Sequence, residues 1–261
     1  MSEAAALDAV RELLPPGWKR SPRTAVDRLY SLRFGGDGSG HGTHRFNLLY
    51  RDSALLARSL MSEDVYDVLE SDLRLYVAER ATRRVFVHAG VVGWKGRAIL
   101  IPGRSFTGKT TLVAELVRAG AVYYSDEYAV LDACGLVHPY ARPLAVREGD
   151  GPRQTRRPVE EFGGRAGKEP LPVGLVVVTR YERGGSWSPR RLTPGEGVME
   201  MLSNTVSARR SPERALTVLS KVADRAVILS GTRGEASRAA ASILKTLGRG
   251  SQHCLRNVES Q

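Results

Sequence analysis

The residues most suited to chemistry lie in a short glycine-spaced segment, residues 103–110, which reads GRSFTGKT. The segment matches the Walker A pattern G-x-x-x-x-G-K-[ST]. In such a loop the glycines let successive backbone N–H groups surround phosphate oxygens, and the positive end of the following helix adds to the attraction. The segment therefore predicts a nucleotide-binding site.

The side chains of this loop have expected roles. Lys109 is expected to reach the outer phosphates, and the hydroxyl of Thr110 is expected to bind Mg²⁺. The residues expected to surround the nucleotide are Gly103, Arg104, Ser105, Phe106, Thr107, Gly108, Lys109, Thr110 and Thr111. The predicted cofactors are ATP, or another nucleoside triphosphate, and Mg²⁺.

Two acids, Asp126 and Glu127, follow the loop at the end of the next apolar segment. A carboxylate beside a phosphate loop can hold Mg²⁺ through water, or it can accept a proton from an attacking hydroxyl. The base-reading element of a switch GTPase, Asn/Thr-Lys-x-Asp, does not occur in the sequence. The missing element argues against a switch GTPase, and a carboxylate beside the loop is compatible with transfer of the phosphate to a hydroxyl.

Hydrophobic patterns indicate the elements that must position these residues. RAILIPG before the loop is typical of a strand, and TTLVAELVRAG after it is typical of a helix that ends at Gly120. Residues 85–101 predict a hairpin with its turn at Trp94, Lys95 and Gly96, and VGLVVVTRY predicts a strand buried on both faces. Further strands are expected in AVYYSDE, YAVLD, LVHPY and RAVILSG, and helices from Thr193, from Ser211 and in EASRAAASILKTLG. This order predicts an α/β fold with parallel strands at its core.

The regions outside this core carry weaker signals. Residues 1–84 predict a helix, a hairpin and a second helix, and His41 and His44 in the glycine-rich turn are interpreted as polar loop residues. Residues 147–172 are crowded with Gly, Pro and Arg, which is typical of a functional lid or a disordered loop. We expect an N-terminal hairpin and helix region (1–84), a catalytic domain (85–247) and a flexible C-terminal tail (248–261).

Composition narrows the class of protein. The formal net charge of +11 favours anionic partners, but only 7% of residues are aromatic, so the interleaved aromatic and basic residues of a nucleic-acid surface are not expected. No apolar segment has the length of a membrane span, and the N-terminal segment lacks the pattern of a secretory signal. With two widely spaced cysteines, the chain is expected to be cytoplasmic, without a membrane or nucleic-acid partner.

An ordered set of segments resembles the HPr kinase/phosphorylase family, and more closely its smaller relatives, the HPr-kinase-like serine kinases. Some of those relatives accompany peptide-tailoring enzymes, such as lasso-peptide kinases. The matching segments are HAGVV, GRAILIPGRSFTGKTTL, RAG followed by SDE, HPYARPL, PGEGVMEMLSNT and RAVILSG, and the resemblance covers about residues 85–247. The resemblance implies a P-loop kinase core with a mixed sheet and flanking helices.

The resemblance also implies an activity, namely transfer of a phosphoryl group from ATP to a serine of a peptide or small protein. Asp126 matches the family's catalytic base, and His88 matches a histidine of the preceding hairpin, so Asp126, Lys109 and His88 are the expected catalytic residues. Glu127 replaces the second acid of the family's pair and is expected, with Thr110, to bind the metal. Arg104, Phe106 and Thr107 depart from the family's loop.

Several alternatives stay open at this point. The same site would serve a kinase of a small-metabolite hydroxyl, which would differ only in the acceptor pocket. A non-catalytic nucleotide-binding regulatory module is also compatible with the loop and the positive charge. Full members of the family assemble into rings, so a homo-oligomer is a further expectation, and the segment that bifunctional members use for the reverse reaction is not recognised here.

Overall fold

A computed structural model describes residues 3–35, 46–103, 107–147 and 154–256 of the chain. Contacts divide the chain into two compact units, Met1–Val77 and Ala78–Gln261. This division lies inside a helix and somewhat before residue 85, where the sequence predicts the start of the catalytic domain. His41 and His44 lie outside the described residues.

The first unit has a small antiparallel sheet with two helices. Its core contains Leu49, Val65 and Leu69, which are buried. The elements of this region are α1 Glu3–Leu13, β1 Tyr30–Arg33, β2 Asn47–Arg51, β3 Ala54–Ser59 and α2 Ser62–Arg80. The pairing of β1 with β2 confirms the predicted hairpin, and β2 also pairs with β3.

The second unit contains the strands and helices that the sequence predicts, in the predicted order, together with three short strands and a 3-10 helix that it does not. Its strands are β4 Val85–Trp94, β5 Arg97–Pro102, β6 Val122–Ser125, β7 Tyr128–Leu131, β8 Leu136–His138, β9 Leu144–Arg147, β10 Gln154–Arg157, β11 Leu171–Tyr181, β12 Arg190–Arg191 and β13 Val227–Arg233. Its helices are α3 Lys109–Arg118, α4 Pro194–Leu202, α5 Pro212–Arg225, α6 Ala236–Arg256 and a short 3-10 helix, Val159–Phe162. The chain is thus an α/β protein, as predicted.

Most of these strands form one mixed sheet in the order β12-β13-β11-β5-β4-β7-β8, with β6 also paired to β4. Strand β11 lies parallel to both β5 and β13, whereas β4 pairs with its neighbours antiparallel. Strand β11 is buried on both faces along its centre, which agrees with its β-branched sequence. The expected parallel core is therefore limited to these three strands.

Helices cover both faces of this sheet, because alternate side chains of each strand point to opposite sides. Ile99 of β5 and Val177 of β11 belong to the core on the side of α3 and α6. Leu100 and Val176, one position along each strand, belong to the core on the side of α4 and α5. The sheet thus separates the helix that follows the glycine-spaced loop from α5.

Two regions contain secondary structure that the sequence does not predict. Within residues 147–172, strand β10 pairs antiparallel with β9, and the 3-10 helix buries Val159 and Phe162. Burial of these two apolar side chains explains why the 3-10 helix packs against the fold. Helix α6 extends to Arg256, beyond residue 248 where the tail is expected to begin, and it includes Gly248 and Gly250.

Among the helices of the described residues, none has the length and apolar character that a membrane span requires.

Candidate functional site

The glycine-spaced loop joins β5 to α3 at the carboxyl end of β5. The described residues include Gly103 and Thr107 to Thr111, whereas Arg104, Ser105 and Phe106 lie outside them. Gly108 precedes α3 in a left-handed conformation, with φ 76°. A Cβ at this position would lie 2.5 Å from a guanidinium nitrogen of Arg233. Glycine is thus required at this position both for the backbone angle and for the close contact.

Lys109 is the first residue of α3 and is only 7% exposed. Loss of hydration lowers the pKa of its ammonium group to about 8, and the charges of Asp126 and Glu127 oppose this shift. Further negative charge beside this lysine raises its pKa again and favours the charged ammonium form. The position is therefore suited to an anionic ligand.

The carboxylate of Asp126 contacts the start of the same helix. The hydroxyl of Thr110 donates a hydrogen bond to Oδ2 of Asp126 at 3.2 Å, and the backbone N–H of Ala145 approaches the same oxygen at 3.4 Å. Desolvation raises the pKa of Asp126, although these bonds and one from Tyr123 lower it in part. The structure thus brings together three predicted site residues: Lys109, Thr110 and Asp126.

Tyr123 is a contact of this site that sequence reasoning missed. Its hydroxyl lies 3.0 Å from Oδ1 of Asp126 and 2.9 Å from the backbone carbonyl of Arg142. A phenol has one hydrogen, so it donates to only one of these oxygens at a time. When the carboxyl of Asp126 is protonated, it can donate to Tyr123 while Tyr123 donates to the carbonyl. Tyr123 therefore has a suitable partner in either protonation state of Asp126.

Asp126 and Glu127 lie at a break between two strands that pair with the same neighbour. Strands β6 and β7 run in the same direction along successive parts of β4. The hydroxyl of Ser125 accepts hydrogen bonds from the backbone N–H groups of Glu127 at 3.1 Å and Tyr128 at 3.0 Å, which fixes the backbone at this break. The two acids thus occupy a two-residue interruption of the strand.

His88 of β4 holds the first residue of the loop. Its Nδ1 lies 2.7 Å from the carbonyl oxygen of Gly103, and the N–H of Gly103 donates to the carbonyl of His88 at 3.2 Å. Because a carbonyl oxygen can only accept, Nδ1 carries the hydrogen of the neutral ring. The observed contact makes His88 a residue that positions the loop.

Arg233 holds the other end of the loop and was not identified from the sequence. It lies at the carboxyl end of β13, is 2% exposed, and donates to the carbonyl oxygens of Gly108 at 2.9 Å and Thr107 at 3.4 Å. Burial lowers its pKa. The available signal was an arginine two residues after a predicted strand, at the sheet edge where parallel strands carry their functional residues.

The donor groups suit a hard cation such as Mg²⁺, since Thr110, Asp126 and Glu127 supply only oxygen atoms. Within the described ranges, no group of three or more His, Cys, Asp or Glu side chains could hold a metal by itself. Magnesium usually completes its coordination with waters and substrate phosphates. The residues therefore fit a metal that is held jointly with a nucleotide.

Comparison of the sequence with known protein families and with curated proteins finds no match. The likeness to HPr-kinase-like serine kinases thus stays a prediction that depends on the segments quoted above.

Proposed function

We propose that this protein is an ATP- and Mg²⁺-dependent P-loop phosphotransferase that phosphorylates a serine hydroxyl of a peptide or small protein. One observation carries the proposal: the carboxylate of Asp126 contacts Thr110, at the start of the helix that follows the Walker A segment, beside the buried Lys109. A base next to the phosphate loop is the arrangement that phosphoryl transfer to a hydroxyl requires.

The loop and Lys109 supply the binding part of this function. Backbone N–H groups and the N-terminus of α3 bind phosphate oxygens, and Lys109 adds a positive charge at the outer phosphates. Phosphate charge raises the pKa of Lys109 from about 8, so the lysine is protonated in the complex. Mg²⁺, held by Thr110 and Glu127, would neutralise charge on the transferred group.

Asp126 supplies the proton acceptor. The acceptor oxygen forms a bond to the terminal phosphorus of ATP, the bond between that phosphorus and the bridging oxygen breaks, and ADP leaves. The proton of the acceptor hydroxyl moves to the carboxylate of Asp126. Desolvation raises the pKa of this carboxyl, which strengthens it as a base as long as it is ionised.

The identity of the acceptor rests on the family resemblance, because a metabolite hydroxyl would use the same donor site. We propose further that the protein acts in the cytoplasm, with neither a membrane nor a nucleic acid as its partner. A homo-oligomer belongs to the same proposal, by analogy with the ring-forming family members.

Incubation with ATP labelled on the terminal phosphate and a cell extract tests this function. We expect label in a protein or peptide fraction, on serine, and no transfer by the Lys109→Met variant. Label confined to the small-molecule fraction would favour a metabolite kinase. Nucleotide binding without transfer to any acceptor would instead support a regulatory module.

A further inference from the structure

A second concave site lies at the beginning of β4, away from the glycine-spaced loop. It has a volume of about 420 Å³ and is lined by residues of the segment before β4, of the turn between β7 and β8, and of α5. Val85 and Leu131, which pair with each other, lie at its floor. Cavities of this size hold small organic ligands.

The cavity and the candidate phosphate site lie on opposite faces of the sheet. Val85, Leu131 and Val218 belong to the core on the α5 side, whereas α3 packs on the other face. Along β4, Val85 is about 10 Å from His88, at the usual rise of a strand. The cavity is therefore separate from the site proposed above, and its assignment does not depend on that function.

Arginine dominates the polar lining of this cavity, which we call the arginine cavity. Arg83, Arg84 and Arg214 line it, and Arg214 donates to the backbone carbonyl of Thr82. Among the residues that the structure describes, no carboxylate lies within 4.0 Å of a guanidinium nitrogen of these three arginines. Their positive charges are thus not neutralised within this part of the chain.

The acid that lines the cavity is already engaged. Oδ1 of Asp132 accepts hydrogen bonds from the N–H groups of Cys134 at 2.8 Å and Leu136 at 3.0 Å, and Oδ2 lies 2.9 Å from Nε2 of His138. Desolvation raises the pKa of Asp132, but the bonds from His138 and from the two N–H groups together outweigh it and lower the pKa, which keeps the charge in the turn. Asp132 therefore shapes the turn rather than pairing with the arginines.

Two further cations stabilise the wall of the cavity from α5. Lys221 donates to the carbonyl of Ala133 at 2.9 Å, and Arg225 donates to the carbonyl of Cys134 at 3.3 Å. They bond to backbone oxygens, so their charges add to the positive potential around the turn. Three arginines thus line the cavity above buried apolar residues, and two further cations bond to the turn that forms one of its walls.

We propose that the arginine cavity binds a small organic anion, with a carboxylate or phosphate group on an apolar body. Arginine binds such planar or multi-oxygen groups through paired N–H donors, which lysine cannot match. The floor of Val85, Leu131 and Val218 provides an apolar surface for the rest of the molecule. An apolar lining with a few convergent cationic groups is typical of a ligand site.

Cys134 provides a local probe, because it lines the cavity and is exposed. The rate of its alkylation by N-ethylmaleimide, a neutral reagent, is measured by peptide mass spectrometry, which separates it from Cys254. Phenyl phosphate serves as the probe ligand and phenol as its neutral counterpart. If phenyl phosphate binds with a Kd of about 1 mM, about 10 mM of it slows alkylation of Cys134 roughly tenfold.

Matched variants assign the effect to the cavity. We expect Arg214→Gln and Arg83→Gln to reduce the protection, and Arg191→Gln, which changes an exposed arginine on β12, to leave it unchanged. Two arginine variants are used because Arg214 also bonds to Thr82, whereas Arg83 contributes only its backbone carbonyl to a described bond. Lys109→Met should retain the protection, since it alters only the other site.

Three results would overturn the proposal. The first is the absence of protection by phenyl phosphate, and the second is equal protection by phenol. The third is protection that survives both arginine variants or disappears in Lys109→Met, because the probe would then act from elsewhere.

Discussion

Asp126 is the residue on which the proposed chemistry depends, and its surroundings are tuned by neighbouring hydroxyls. Desolvation raises its pKa, whereas hydrogen bonds from Tyr123 and Thr110 lower it. The balance leaves a carboxyl that is more basic than an exposed aspartate and yet has a partner in each protonation state. Such a group is suited to accept a proton during transfer and to release it afterwards.

Tyr123→Phe tests this balance. Removing the hydroxyl removes a bond that lowers the pKa of Asp126, so that pKa should rise further. Transfer needs the ionised carboxylate. As the pH is lowered, the variant should therefore lose activity at a higher pH than the unaltered protein does. The measurement is the acidic limb of the pH profile of kcat/KM.

Tyr124→Phe is the matched control, because the hydroxyl of Tyr124 donates to the carbonyl of Glu169 at 2.7 Å, not to Asp126. Its acidic limb should coincide with that of the unaltered protein. An unshifted limb in Tyr123→Phe would show that the Tyr123 contact does not tune the base.

Lys109 makes nucleotide binding a proton-linked event. Its pKa of about 8 means that most of the lysine is neutral at about pH 9, and phosphate binding restores the charge. We expect ATP binding at that pH to take up close to one proton. Calorimetric titration in two buffers with different ionisation enthalpies measures this number.

The Lys109→Met variant supplies the reference for that titration. It has no ammonium group to protonate, so its binding heat should not depend on the buffer. Identical heats in both buffers for the unaltered protein would contradict a lowered pKa for Lys109.

The loop between β5 and α3 is held from two strands that are distant in sequence. His88 of β4 bonds to Gly103 at its beginning, and Arg233 of β13 bonds to Gly108 at its end. Both strands lie in the same mixed sheet, so the sheet fixes the two ends of the loop. This arrangement preorganises the backbone that is expected to surround the phosphates.

Gly108→Ala tests the clamp at the end of the loop. The substitution costs about 1–2 kcal/mol for a left-handed backbone. The new Cβ also meets a guanidinium nitrogen of Arg233 at 2.5 Å, which forces the loop or the arginine to move and should add about 1–3 kcal/mol. Urea unfolding measures the free energy, and ATP affinity should fall as well.

Gly163→Ala provides a closely matched comparison. Gly163 also has a left-handed backbone, with φ 72°, but a Cβ there meets nothing within 4 Å. This variant should therefore lose only the backbone contribution and keep its ATP affinity. Equal losses in the two variants would show that the Arg233 contact has no energetic weight.

Several features of the second unit were predictable from the sequence. The loop, its strand and its helix were predictable because their signals are local: glycine spacing, apolar periodicity and a glycine cap. Asp126 was identified for the same reason, since it follows the loop helix by a single short strand. The α/β class followed from the order of these elements.

Other features depend on contacts between distant parts of the chain. Arg233 meets Gly108 across 125 positions, and no local pattern specifies that pairing. The break at Asp126 lies between β6 and β7, which both pair with β4, and this pairing depends on the tertiary arrangement. The pairing of β9 with β10 was not predictable because β10, with the sequence QTRR, has no apolar alternation.

The molecule as a whole brings residues of β4, of α3 and of the break between β6 and β7 to one place, and the proposed function depends on this convergence. Asp126→Asn changes one carboxyl oxygen to an amide nitrogen and leaves the size of the side chain almost unchanged. Asp224→Asn, on the exposed side of α5, controls for the loss of one negative charge.

Transfer of label from ATP by these two variants tests the proposed function most directly, with ATP affinity measured in parallel. We predict that Asp126→Asn binds ATP with unchanged affinity but transfers phosphate at least about 100-fold more slowly, whereas Asp224→Asn transfers normally. Transfer at the original rate by an Asp126→Asn variant that binds ATP would contradict the assignment of Asp126 as the base.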